Sequence, residues 1–254
     1  INSEVKLALT GTPIENSILE LWSIFDYIMP GFLSNKSKFK EKYKIGEEFD
    51  DITNLVLSKL RNQVAPFILR RKKNEVLKDL PDKIENNIYI DLSDEEKKIY
   101  AALVEQTKKE MEELIKAGFT KNKMQILTLL TRLRQVCIDP KIIFDNFTKT
   151  SSKINHLIDV VSEAISNGHK ILLFTSFKTA LNIVKNELDK EGITSYVIDG
   201  SVSSKKRQEL VDKFNMDDTN VFLIMLKSGG TGLNLTSADI VIHLDLWWNP
   251  QAEN

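Results

Sequence analysis

The spacing of apolar residues changes once along the chain, and the change divides it. In the first part the spacing is helical. Ile18, Leu21, Trp22, Phe25 and Ile28 recur at three and four residues, and Pro30-Gly31 ends the run. Leu55, Val56, Leu60 and Val64 mark a second helix over Ile52–Val64, broken by Pro66. Ahead of both lies a short apolar run, Val5–Leu9, closing on Thr10-Gly11-Thr12-Pro13. These residues predict a strand end and then a helix start. Thr12 would be the N-cap, Pro13 the first helical residue and Glu15 the capping-box carboxylate. Further on, Ile84, Ile88, Ile90 and Leu92 alternate with Glu85, Asn87, Tyr89 and Asp91, a strand signal. Ser93 and Glu96 form another capping box, which opens a helix through Ala117 of about 35 Å, with Gly118 as its stop. Met124–Cys137 reads as a further helix before Pro140.

After the polar stretch Thr148–Lys153, helices and strands alternate. Helices are predicted over Ile154–Ile165, Thr179–Lys190 and Ser204–Phe214. Strands are predicted over Lys170–Thr175, Tyr196–Ile198, Val221–Leu226 and the apolar run Ile240–Leu244. Such alternation predicts an α/β fold, a parallel sheet with helices on both faces, joined to a mostly helical N-terminal half. Ligands of such sheets lie outside the carboxyl ends of the strands. The informative polar residues fall there: Thr175-Ser176, Asp199-Gly200-Ser201, Lys227-Ser228-Gly229-Gly230 and Asp245.

Composition narrows this little. The chain has 254 residues, 42% hydrophobic, which suits one large or two modest domains. The net charge of −1 requires any basic surface to be local. One cysteine, Cys137, excludes a disulfide framework and sits on an apolar helix face, as a buried inert thiol would. His156, His169 and His243 are far apart and without cysteine partners, which argues against zinc. No apolar run reaches the roughly 18 residues of a membrane span. Ile1-Asn2-Ser3-Glu4 is no signal peptide, and the chain begins as if cut from a longer protein.

Four clusters carry candidate chemistry, each with a plain structural alternative. Lys227-Ser228-Gly229-Gly230-Thr231-Gly232 follows a strand. Its glycines let backbone N–H groups approach an anion, and Lys227 adds charge. It lacks the Gly-Lys-Ser/Thr order of a Walker A loop, and a tight crossing without ligand has the same composition. Asp199-Gly200-Ser201 precedes Ser203, a candidate cap for a helix carrying Lys205, Lys206 and Arg207. That is either a phosphate contact or a capped turn before a solvated face. Arg70-Arg71-Lys72-Lys73 is either a nucleic-acid contact or a solvated charge run, and Trp247-Trp248 either a stacking platform or a packed lid.

Together these strings resemble, in order and over nearly the whole chain, the SWI/SNF family of helicase-like DNA-dependent ATPases within the superfamily-two helicases. Leu9-Thr10-Gly11-Thr12-Pro13-Ile14-Glu15-Asn16 resembles motif III. Phe67 to Lys73, with Leu80-Pro81-Asp82-Lys83, resembles the inter-lobe block, and Leu133-Arg134-Gln135-Val136-Cys137 with Pro140 a family helix. Ile171–Phe177 resembles motif IV, Asp199-Gly200-Ser201 with Arg207 the segment after it, and Lys227–Asn234 motif V. Asp245-Leu246-Trp247-Trp248-Asn249-Pro250 resembles the lead-in to motif VI.

The resemblance implies two RecA-like lobes that bind ATP, with Mg²⁺, and double-stranded DNA across them. Residues 1–13 would end the first lobe, and 14–80 would be a helical segment and linker. Residues 81–147 would be the strand and helical insertion of the second lobe, and 148–254 that lobe itself. By position, Gly230, Gly232 and Asn234 would face ATP. Ser176, Gly200, Ser201 and Lys227, with Arg70 and Arg71, would face the DNA backbone. Thr10, Gly11, Thr12 and Pro13 would couple nucleotide state to lobe movement. The sequence departs from the family at Met225, where a hydroxyl is frequent, at Val202 for threonine, and at Ile138-Asp139 for Asn-His.

The 254 residues hold no Walker A lysine, no magnesium-binding motif II and no motif VI arginines. The expectation is therefore a piece of a translocating ATPase that does not turn over ATP alone. A binding or scaffolding module is the rival reading, and a small-molecule nucleotide enzyme is poorly served. Abundant Lys, Ile and Asn fit an AT-rich, bacterial genome; the resemblance then implies a cytoplasmic, nucleoid-associated protein, or a nuclear one if eukaryotic.

Overall fold

A computed structural model describes residues 3–14, 17–43, 51–71, 83–229 and 233–248, with the side chains of 51–54 and 228–229 left aside. The chain forms two compact units, Ile1–Asn87 and Ile88–Asn254.

The first unit is helical. Helix α1 (Ile18–Ile28), α2 (Lys36–Lys42) and α3 (Asp51–Val64) are followed by a single 3₁₀ turn, Ala65–Phe67. Leu21, Phe25, Leu33, Phe39, Tyr43, Leu60 and Val64 make its core. The amphipathic face of α1 is as the spacing predicts, but its start is not. Ser17 is the N-cap, its side chain accepting from the Leu19 N–H, five residues after Thr12. Thr12 instead donates its N–H to Thr10 Oγ1 at 3.2 Å, a local turn. Helix α2, capped by Asn35, is too short and lysine-rich to show in the apolar pattern. Val5, Leu7 and Leu9 form no strand and stand exposed. Among the described residues none pairs with them, and an extended segment without a partner gains no ladder hydrogen bonds.

Residues 83–92, which run from the end of the first unit into the second, also form no strand among the described residues. Alternation marks a segment that could line a sheet; it supplies no neighbouring strand. Helix α4 (Asp94–Lys116) then starts on the predicted capping box, with Ser93 and Glu96 bonded reciprocally. Gly118, at φ +114°, turns the chain into α5 (Phe119–Ile138), which starts five residues before the apolar pattern indicates. The Asn122 side chain donates to the Leu114 carbonyl and closes the turn. Asp139 is buried and caps the 3₁₀ turn Pro140–Ile142.

The lobe proper follows: α6 (Ser152–Ser166), β1 (Ile171–Thr175), α7 (Lys178–Lys190), β2 (Ser195–Ile198), α8 (Ser204–Met216), β3 (Val221–Met225), the short turn α9 (Leu226–Gly229) and β4 (Ile240–His243). The four strands lie in the order β2-β3-β1-β4, and every pair is parallel. Period-two alternation sends β1 and β3 residues to both faces. Ile171, Leu173, Val221 and Leu223 meet α6 and α7 through Val161, Leu181 and Val184. Phe222 and Ile224 meet α8 through Val211 and Phe214 on the opposite face. The predicted fold class, an α/β parallel sheet covered on both sides, is the one observed.

Candidate functional site

The parallel strands share one direction, so the residues that follow them share one edge. Ser176 follows β1, Asp199-Gly200-Ser201 follow β2, Lys227 follows β3, and Asp245 follows β4 by two residues.

Asp245 organises the β1–β4 side of that edge. Its carboxylate is nearly buried; Oδ1 accepts from Thr175 Oγ1 at 2.7 Å and from the Ser176 N–H at 2.9 Å. Oδ2 faces Arg134, on α5, at 3.4 Å. The Arg134 guanidinium also donates to the Leu246 carbonyl and lies 4.5 Å from the Trp248 ring centroid. The Ser176 hydroxyl is buried and makes no hydrogen bond among the described residues. Lys153, on α6, stands near this group. Burial pulls its ammonium below the ordinary lysine value, while Asp245 and Cys137 oppose the shift. Burial pushes the Cys137 thiol up, Lys153 opposing, which suits an inert cysteine.

Asp199 organises the β2 end. Its Oδ1 accepts the Ser201 N–H at 2.9 Å and the Ser201 hydroxyl at 2.5 Å, and Lys178 Nζ lies 2.8 Å from Oδ2. Lys178 first, then Ser201, lowers this carboxyl to about 2. Ser203 caps α8 as predicted, accepting from the Lys206 N–H. Gly200 and Ser201 are exposed on this turn.

Beyond β3 the chain winds into the short α9, which carries Lys227. The Lys227 ammonium sits 4.7 Å from the Trp247 ring centroid. Each of the paired tryptophans thus faces a cation, and Trp248 stays half exposed. Gly230 and Gly232 lie outside the described residues. Asn234 is exposed, and its carbonyl accepts from the Asn215 side chain of α8 at 2.8 Å.

Ser176, Gly200, Ser201 and Lys227 therefore share the carboxyl edge of one sheet. Thr10, Gly11, Thr12, Pro13, Arg70 and Arg71 belong to the first unit, where the two threonines and both arginines are exposed. Sequence reasoning missed Lys178 and the organising roles of Asp199 and Asp245. The available signal was a lone carboxylate closing an apolar strand. No group of three or more His, Cys, Asp or Glu among the described residues could hold a metal ion.

A parallel α/β lobe with hydroxyls, a lysine and a glycine turn along one edge is the architecture of a helicase-type lobe. The chain belongs to the SNF2 family of helicase-like ATPases: the SNF2-related domain matches residues 1–142, and the helicase conserved C-terminal domain matches residues 152–254. It is 42% identical, over 98% of its length and 23% of the relative's, to an uncharacterized ATP-dependent helicase of Mycoplasma genitalium. It is 32% identical, over 98% of its length and 16% of the relative's, to the TATA-binding protein-associated factor MOT1 of Saccharomyces cerevisiae. Among solved structures it resembles the SWI2/SNF2 ATPase core of Sulfolobus solfataricus in complex with double-stranded DNA. That likeness has 35% identity and a TM-score of 0.59 and covers 95% of this chain and 52% of that one. The chain thus spans about a quarter or less of the length of these curated relatives.

Proposed function

We propose that these residues serve a DNA-stimulated ATPase that moves along duplex DNA, and that 148–254 form its second RecA-like lobe. In this reading 1–13 end the first lobe, 14–80 link the two, and 81–147 are the insertion of the second. The observation that carries it is the alignment of Ser176, Gly200-Ser201 and Lys227 at one sheet edge. Hydroxyls, exposed backbone and an ammonium read phosphates rather than bases. Binding is then largely independent of sequence and weakens steeply with salt. The likeness to an ATPase core held on double-stranded DNA supports the same substrate.

Gly230, Gly232 and Asn234 would approach ATP, with Arg70 and Arg71 meeting the DNA from the first unit. Thr10 and Thr12 would transmit nucleotide state. ATP would arrive with Mg²⁺ held by residues other than those described. The 254 residues contain no Gly-Lys-Ser/Thr phosphate loop, so the chain by itself is expected to leave ATP intact. The test is ATP hydrolysis by the full-length protein with and without duplex DNA, beside the 254-residue chain. Stimulation by DNA in the former and none in the latter is the expected result. Duplex binding without any hydrolysis by the full-length protein would instead identify a scaffold.

A further inference from the structure

We infer that Arg134 is a positioning residue that fixes the tips of β1 and β4, and with them the DNA-facing carboxyl edge on which Ser176 and Lys227 lie. The inference rests on the DNA-binding reading of that edge.

A surface arginine on a helix ordinarily points to water. The Arg134 side chain instead is only 21% exposed and is directed from α5 to the sheet edge. Its guanidinium contacts both the Asp245 carboxylate and the Leu246 carbonyl. The rings of Trp248 and Phe177 lie 4.5 Å and 5.7 Å from it, one from the segment after β4 and one from the segment after β1. A planar guanidinium can donate in its plane and offer its face to aromatic rings at once; an ammonium cannot.

The second link runs through Asp245. The oxygen not facing Arg134 accepts the Thr175 hydroxyl and the Ser176 N–H. The carboxylate therefore holds the backbone of Ser176 and leaves its hydroxyl unused. Arg134 keeps Asp245 in place, and Asp245 keeps Ser176 in place. Withdrawal of the guanidinium would remove the contact that ties the carboxylate to the Leu246 segment, leaving Lys153 as a nearby cation, and free both segments to rotate. Arg134 itself has no need to touch the nucleic acid. One end of its guanidinium is committed to Asp245 and Leu246, and the salt dependence of binding should not record it.

Two measurements test this separately from the ATPase reading. In the 254-residue chain, hydrogen exchange at the Ser176 and Phe177 amides should accelerate about tenfold in Arg134→Gln. Arg134→Lys should not restore the wild-type rate, and exchange in the distant β2 strand should stay unchanged. Slow exchange at Ser176 in Arg134→Gln, or full rescue by Arg134→Lys, overturns the inference whatever the protein does with ATP. If Arg134→Gln fails to fold, Arg134→Lys alone carries the test. In the full-length protein, the duplex concentration giving half-maximal ATPase should rise about tenfold, with kcat at saturating DNA changed less than threefold. The slope of log affinity against log salt should match wild type, whereas a residue that itself meets a phosphate would lower it by about one. A reduced slope, or unchanged half-saturation beside loosened exchange, overturns the role assigned here. A wild-type protein that ignores DNA refutes the proposed function instead, and leaves the positioning of Ser176 to be read from exchange alone.

Discussion

Glu96→Gln perturbs the junction at which α4 and α6 begin. The Glu96 carboxylate is 4% exposed and serves two helix N-termini. Its Oε2 accepts the Ser93 N–H at 2.9 Å, the Ser93 hydroxyl at 2.6 Å and the Ser152 hydroxyl, and its Oε1 accepts the Ser152 N–H at 3.0 Å. Glutamine keeps the shape but turns an amide NH₂ toward one set of donors and removes the charge. Hydrogen bonds to charged groups contribute about 1.5–3 kcal/mol each, and an anion at a helix N-terminus about 0.3–1. With part of the network surviving, a net loss of about 3 kcal/mol is expected. For a unit of this size that corresponds to a melting temperature lower by about 10 °C. Urea unfolding followed by circular dichroism measures it. A double-mutant cycle with Ser152→Ala should return a coupling on the order of 1 kcal/mol.

The same carboxylate makes a signed pH prediction. Burial alone would raise Glu96, but hydrogen bonds from Ser152 and Ser93 outweigh it and hold the carboxyl below its ordinary value. A folded value below the unfolded one means the stabilisation is complete above the unfolded pKa, near about 4.3. It is lost as pH falls through the folded value. The gap between wild type and Glu96→Gln should therefore narrow below about pH 4. A loss under about 0.5 kcal/mol at neutral pH, or a gap that widens on acidification, refutes the account.

Two other expectations follow from the same geometry. Asp199→Asn removes the ion pair with Lys178, whose side chain is 60% exposed; allowing for solvent screening, it should destabilise by on the order of 1 kcal/mol. Because Asp199 is lowered to about 2, that difference should be full above about pH 4 and vanish as pH approaches 2, as acid titration of both proteins would record. Leu173→Ala deletes a side chain with no exposure, in the register Leu223–Leu173–Ile242 of three adjacent strands; denaturant unfolding should show a loss of about 2–5 kcal/mol.

What the sequence by itself determined was local or repeated. Helical and alternating spacings placed α1, α3, α4 and all four strands within a residue or two at most boundaries, because period and burial are tied by geometry. The capping box at Ser93 and Glu96 was legible because both partners lie within one turn. The order of strand ends carrying Ser176, Gly200-Ser201 and Lys227 was legible because all strands of a parallel sheet point one way. The failures were also local signals, read without their surroundings. Thr12 and Pro13 have the composition of a helix start, yet Ser17 caps α1. Residues 84–92 alternate as a strand does, yet form none among the described residues. Only the tertiary structure decided which distant groups share a charge. Ser152 completes the set of donors around Glu96 across 56 positions, and Arg134 reaches Asp245 across 111. Neither pairing leaves a trace in spacing, since a buried carboxylate needs donors of the right geometry and is indifferent to where in the chain they arise.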